Sequence, residues 1–152
     1  MTAPAHPADA PAAAPSNYVA VFLGTTLDYR PHEGAGWQGY QHDLTTLVGY
    51  GRQLTPKLAL ELDLGPTFVS SRYASFSLTP GLVWSFSPNV YLAARVAVPV
   101  DPEWNLVLLP GIGVCRPFGR VMPTLELNLA TAVGRGEPDL GVTLTAGLLV
   151  FF

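Results

Sequence analysis

Leu58, Leu60, Leu62 and Leu64 alternate with Ala59, Glu61 and Asp63, and this two-residue rhythm returns in segment after segment up to Val150, Phe151 and Phe152. A strand sends successive side chains to opposite sides, so the rhythm predicts a sheet with one leucine-rich surface and one polar surface. The leucine parity runs on through Leu78, Leu82 and Trp84, through Leu92, Leu108 and Ile112, and through Leu125, Leu127 and Leu129 without meeting a charge. The opposite parity holds Glu61, Asp63, Arg95, Glu126 and Asn128 among small residues such as Ser77, Thr79, Gly81, Gly111 and Thr145.

Which surface faces inward follows from what is missing. A soluble sheet buries its apolar parity and spreads Lys, Glu, Asp and Arg over the other. Charged residues make up only 12% of this chain, against roughly 25% in soluble domains. The hydrophobic share of 49% is ordinary, so surface charge is what the chain lacks. A transmembrane barrel inverts the soluble arrangement, and a Lys or Arg on its lipid side costs about 2–4 kcal/mol at mid-membrane. That penalty would empty one parity of charge.

A chain of 152 residues suits one domain. Residues 1–17 are rich in Ala and Pro, bury too little to fold and are expected to form a flexible periplasmic tail, leaving 18–152 for the barrel. The tail has no basic start followed by an apolar run, so an export signal is expected to be absent from this sequence. No stretch approaches the roughly 18 apolar residues of a membrane helix, so any crossing must be made by strands. A net charge of −3 argues against nucleic acid. The lone Cys115 allows no internal disulfide and belongs to no metal pattern; neither a metal nor another cofactor is expected, and its parity points to a packed thiol.

Turn signals at Leu54-Thr55-Pro56-Lys57, Ser87-Pro88-Asn89 and Arg116-Pro117-Phe118-Gly119-Arg120 divide the chain. Further breaks fall at about 28–39, 70–72, 101–103 and 134–139. The result is eight strands near 18–27, 40–53, 57–68, 73–86, 89–100, 104–115, 120–133 and 140–152. These lengths suit a tilted bilayer crossing. The fold class is therefore all-β: an eight-stranded antiparallel up-and-down transmembrane barrel with a polar, side-chain-filled interior. An even strand count puts both termini on one side, with the short turns there periplasmic. Aromatic girdles should mark both interfaces. Tyr50, Trp84, Phe86 and Phe152 fall at the periplasmic end, and Tyr29, Tyr40, Phe68 and Trp104 at the outer end. Pro66, Pro80, Pro110 and Pro123 fall inside strands, where each removes a ladder hydrogen bond; a bulge or a broken strand would absorb the loss.

The ending Thr145-Ala146-Gly147-Leu148-Leu149-Val150-Phe151-Phe152 resembles the C-terminal signal of bacterial outer-membrane barrels, with Gly147, Val150 and Phe152 at the signal positions. With the eight-strand pattern, the chain after about Tyr18 is similar to the small outer-membrane β-barrels typified by the OmpA transmembrane domain and OmpX. The likeness is one of pattern, without a peptidoglycan-binding domain after the barrel and with short external loops. It implies insertion into the bacterial outer membrane by the barrel assembly machinery.

Function is less legible. Eight strands enclose a bore filled by side chains, which excludes a wide pore. Inside, Glu61, Asp63, Arg95 and Glu126 are expected to form a charge network, because buried charges need partners. The longest external loop carries Arg30, His32, Glu33 and Trp37, a candidate binding loop. Surrounding lipid and lipopolysaccharide are the expected partners, with other envelope proteins after them. The leading expectation is an envelope barrel with a structural, anchoring or partner-binding role and no enzymatic activity. The alternatives are a narrow small-solute or ion channel, and a lipid A-modifying enzyme drawing on His32, His42, Ser70 and Ser71.

Overall fold

The computed structural model describes residues 16–30, 43–100, 106–133 and 139–152. Eight strands follow one another as β1 (Asn17–Arg30), β2 (Asp43–Gln53), β3 (Leu58–Val69), β4 (Arg72–Ser87), β5 (Val90–Pro99), β6 (Leu106–Cys115), β7 (Val121–Val133) and β8 (Asp139–Phe151). Each pairs antiparallel with the next, and β8 returns to β1 to close a barrel in chain order. Closure removes every free edge. One end, here the near end, carries Asn17, Phe152 and the connections at 54–57, 88–89 and 116–120; the far end lies opposite.

Most described boundaries fall within one residue of the sequence reading; the two ends of β1 need explaining, and pairing explains both. β1 continues past the expected break at Asp28, because after a bulge between Thr26 and Asp28 the residues Asp28, Tyr29 and Arg30 pair with Val142, Gly141 and Leu140. Arg30 is thus a strand residue in its backbone rather than part of a loop. Asn17, assigned to the tail, belongs to β1 through reciprocal backbone bonds with Phe152 at 3.3 and 2.9 Å.

The two faces are sorted inside out. Leu60, Leu62 and Leu127 are 49%, 42% and 44% exposed, while Glu61, Asp63 and Glu126 between and beside them are 2%, 1% and 3% exposed. A soluble fold would reverse this order.

The interior prolines neither bulge nor break their strands. Each of three opens one seam. Pairing of β2 with β3 skips from Thr45/Thr67 to Val48/Leu64, that of β4 with β5 from Leu78/Val98 to Gly81/Arg95, and that of β6 with β7 from Leu108/Thr131 to Gly111/Asn128. A strand residue aims its N–H at one neighbour only, so the other seam survives: Pro66 stays opposite Phe76, Pro80 opposite Leu62 and Pro110 opposite Ala94. Pro123 lies near its strand's start, opposite Leu148, and its carbonyl accepts the Arg116 N–H at 3.1 Å. In the first seam β2 settles onto Gly65, where a Cβ would lie 1.9 Å from the Thr46 carbonyl oxygen.

The register also reveals a repeat that alternation alone does not disclose. Tyr18 faces Gly51, which faces Glu61; half a barrel away Tyr91 faces Gly113, which faces Glu126. A second tier repeats as Ala20, Gly49, Asp63 and as Ala93, Gly111, Asn128. Gly81 of β4 faces Arg95, and Gly147 of β8 faces Phe22. Arg95 and Phe22 therefore hold equivalent places in the two halves. The match is broken in one seam, where Glu61 faces Gly81 but Glu126 faces Thr145, two residues short of Gly147.

Outward aromatics gather at both ends. Near the termini, Trp84 and Phe86 meet edge to face at 5.5 Å, and the Tyr50 hydroxyl donates to Asn17 Oδ1 at 2.8 Å. At the far end Phe68 meets Tyr73 at 6.4 Å; Tyr73 was not among the aromatics singled out from sequence. Tyr40 and Trp104 lie outside the described residues, as does the side chain of Tyr29.

Two outcomes follow. Leu62→Arg should lower the unfolding free energy in lipid vesicles by about 2–4 kcal/mol, whereas Leu54→Arg in a near-end turn should be tolerated; equal effects in urea titrations would contradict the outward orientation. The β3–β4 hairpin turns through Ser70 and Ser71 at φ of 48° and 65°, a conformation that favours Asn and Gly. Ser70→Asn with Ser71→Gly should stabilise the barrel by about 1 kcal/mol in the same titration.

Candidate functional site

At mid-height β3, β5 and β7 bring Glu61, Asp63, Arg95 and Glu126 to one level of the bore. Each strand delivers its charge on the inward parity, and the apolar residues on either side, Leu beside the three acids and Ala94 and Val96 beside Arg95, hold that parity by facing outward. The Arg95 guanidinium grips Glu61 Oε2 through Nη2 at 2.7 Å and Nε at 2.9 Å, a forked contact that suits its planar geometry. Its Nη1 donates to Glu126 Oε1 in its own half, so the grip on Glu61 is the contact that crosses between halves. Asp63 Oδ2 stands 3.5 Å from Nε, outside the geometry of a hydrogen bond, and the Tyr18 hydroxyl donates to Glu61 Oε1 at 3.2 Å. Phe22 completes the level, its ring centroid 5.8 Å from the guanidinium carbon.

Such large groups fit because the neighbouring strand offers glycine. A Cβ on Gly51 would come 1.9 Å from the Tyr18 ring, one on Gly113 2.2 Å from the Tyr91 ring and one on Gly81 2.4 Å from Arg95 Cγ. The bore of an eight-stranded barrel is only wide enough for side chains. Each bulky residue therefore lies down across a neighbour that has no side chain.

The Arg95–Phe22 level divides two cavities. One of about 390 Å³ reaches toward the near end, past Val83, Met122 and Leu149 to Lys57 and Cys115. The other, about 110 Å³, reaches toward the far end, past Asp63, Asn128 and Thr79 to Asp43. This amends the expectation of a uniformly polar, filled interior. The near half is apolar, with Tyr18, Ala20, Phe22 and Leu149 forming a buried cluster against Met122 and Leu47. Cys115 is half-buried at the edge of the larger cavity and its thiol approaches the Pro88 carbonyl at 3.6 Å.

The charge-network residues are thus together. Gly147 lies inward beneath Phe22, while Val150 and Phe152 point outward. Ser70 and Ser71 sit exposed in their turn; His32, Glu33, Trp37 and His42 lie outside the described residues, and so does the side chain of Arg30. Sequence reading passed over Phe22, Tyr18 and Tyr91, and it weighed Asp43 only as a neighbour of His42. Asp43 begins β2 and is held by Thr26, whose N–H and hydroxyl donate to its carboxylate at 2.6 and 2.5 Å, and by the Thr25 hydroxyl at 3.0 Å. Parity could have flagged Tyr18 and Tyr91, whose hydroxyls share the inward face of their strands, whereas Phe22 lies on a stretch apolar on both faces. Among the described residues no group of three or more His, Cys, Asp or Glu gathers in a metal-binding arrangement.

No family model matches the chain, and no curated protein does. A solved structure described as "De novo design of transmembrane beta-barrels" superposes with a TM-score of 0.54 at 13% identity, covering 90% of this chain and 95% of that one. The likeness is one of fold: an eight-stranded, closed, antiparallel barrel of transmembrane type.

Arg95 is the cation on which three carboxylates converge, so removing it leaves buried charge unpaired. Arg95→Met should cost about 3–5 kcal/mol. Adding Glu61→Gln and Glu126→Gln to Arg95→Met should recover most of that loss, as read by urea unfolding of detergent-folded protein; additive losses in the triple variant would refute the clamp.

Proposed function

We propose that the chain is an outer-membrane barrel of a Gram-negative envelope that serves as an anchor or subunit for other envelope proteins and does not act as a wide pore. The observation that carries this reading is the Arg95–Glu61–Glu126 clamp, which with Phe22 lies between the two cavities. Opening it for solute means separating a buried guanidinium from two carboxylates, a cost of several kcal/mol. The outward belt of Leu, Val and Ile favours a bilayer setting, and the short connections at the near end favour a periplasmic position for both termini. Gly147, Val150 and Phe152 match the pattern read by the barrel assembly machinery. Lipid and lipopolysaccharide would surround the wall. Partner contact is proposed for the far-end segment containing His32, Glu33 and Trp37.

Two measurements test this. In planar bilayers the protein should give no large conductance steps, and Arg95→Ala with Phe22→Ala should create a measurable path by joining the cavities. After crosslinking in envelopes and extraction in detergent, the barrel should copurify with at least one other envelope protein. Large steps from the unaltered protein, or a barrel recovered alone, would overturn the reading.

A further inference from the structure

We infer that the far chamber is a binding site for a monovalent, oxygen-preferring cation, held by Asp63 and Asn128 above the Arg95 clamp. The argument begins with charge. Glu61, Asp63 and Glu126 bring three acids to the level that Arg95 serves with one positive charge, so ionised they leave −3 + 1 = −2 inside the wall. Among the described residues lining the two cavities, the remaining cation is Lys57, at the mouth of the near one. An uncompensated carboxylate in such surroundings is strongly disfavoured.

Hydrogen bonding points to the same place. Both carboxylate oxygens of Asp63 and Oδ1 of Asn128 are buried without a hydrogen-bond partner, on residues 1% and 6% exposed. Every one of these orphan atoms is an acceptor. A proton on Asp63 would remove one charge and supply one donor, which answers a single acceptor and leaves the other Asp63 oxygen without a partner. A cation bound with its waters meets the charge and the orphan oxygens together.

The chamber narrows the chemistry. Asp63 and Asn128 occupy equivalent places in the two half-barrels and line the same cavity, with the hydroxyls of Thr79, Thr143 and Thr145 around them. A volume of about 110 Å³ has room for roughly three waters, each taking about 30 Å³. That suits one small cation with part of its hydration shell. Carboxylate, amide and hydroxyl oxygens are hard ligands, and the absence of a three-ligand His, Cys, Asp or Glu group among the described residues turns the site away from transition metals. Asp43, held by Thr25 and Thr26 on the far side of the chamber, adds a second negative group along the approach. Glu126 and Arg95 close the chamber on its clamp side.

Sodium is the probe. Detergent-folded protein at fixed pH and ionic strength should broaden the ²³Na resonance, and the broadening should vanish when the protein is heat-unfolded. Its unfolding midpoint should be about 3 °C higher in sodium chloride than in N-methyl-D-glucamine chloride. Asp63→Asn should abolish both effects. Asn128→Asp should enlarge the salt-specific shift, which keeps the idea testable if Asp63→Asn does not fold. Equal midpoints in the two salts would overturn the proposal, as would broadening that survives Asp63→Asn, or a midpoint that follows pH and ignores sodium, the result expected if a proton holds the place. None of these readouts depends on whether the barrel has a protein partner.

Discussion

A single guanidinium holds the two halves of this barrel at their most expensive level. With apolar side chains outward on every strand, the wall screens its interior poorly, and carboxylates placed there must find partners within the bore. Arg95 reaches from β5 to Glu61 on β3 and Glu126 on β7, so one side chain ties three strands that share no backbone ladder. The glycines are the necessary counterpart. Arg95 can lie across the bore only because Gly81 leaves space beneath it, and the tyrosines that flank the clamp rest in the same way on Gly51 and Gly113. Charge, ring and glycine form one unit in which each member is required by the geometry of the others.

That unit occurs twice, and the difference between its two copies makes the site. Both halves place a tyrosine, a glycine and a glutamate in register across three strands. Four residues beyond the tyrosine, one half has Phe22 and the other Arg95. With two arginines the centre would hold like charges face to face; with two phenylalanines, the glutamates would have no cation. One of each gives a cation that both glutamates share and a ring against which it packs. The same asymmetry recurs in the second tier, Asp63 on one side and Asn128 on the other, which sets one carboxylate rather than two in that tier.

Much of this was legible in alternation. Strand number, direction, faces and most boundaries follow from period-two patterning, and Glu61, Asp63, Arg95 and Glu126 stand out because they are the charges on an otherwise small-residue parity. Three things were not legible, each for a physical reason. The end of β1 depends on a bulge that lets Asp28 to Arg30 pair with β8, and turn-forming residues at that point misstate it. The prolines read as threats to the ladder, since sequence does not say which neighbour a given N–H would serve; the register shows that only one seam is lost at each. The apolar near half of the bore was hidden because Phe22, Val83, Met122 and Leu149 sit on the inward parity of strands whose outward parity is equally apolar. Where both faces are greasy, alternation carries no signal.

The ends of the barrel differ in charge as well as in loop length. Arg52, Lys57, Arg116 and Arg120 are all exposed at the near end, and no Asp or Glu among the described residues accompanies them there. The far half holds Asp28, Asp43 and Asp63 against the exposed Arg72, so among the described residues the near mouth is positive and the far half net negative. The outer wall, dominated by Leu, Val and Ile among the described residues, carries no comparable contrast. The chambers behind the two ends differ accordingly: Asp43, Asp63 and Asn128 line the far one, while Val83, Met122 and Leu149 give the near one an apolar stretch between Lys57 at its mouth and Glu61 at the clamp.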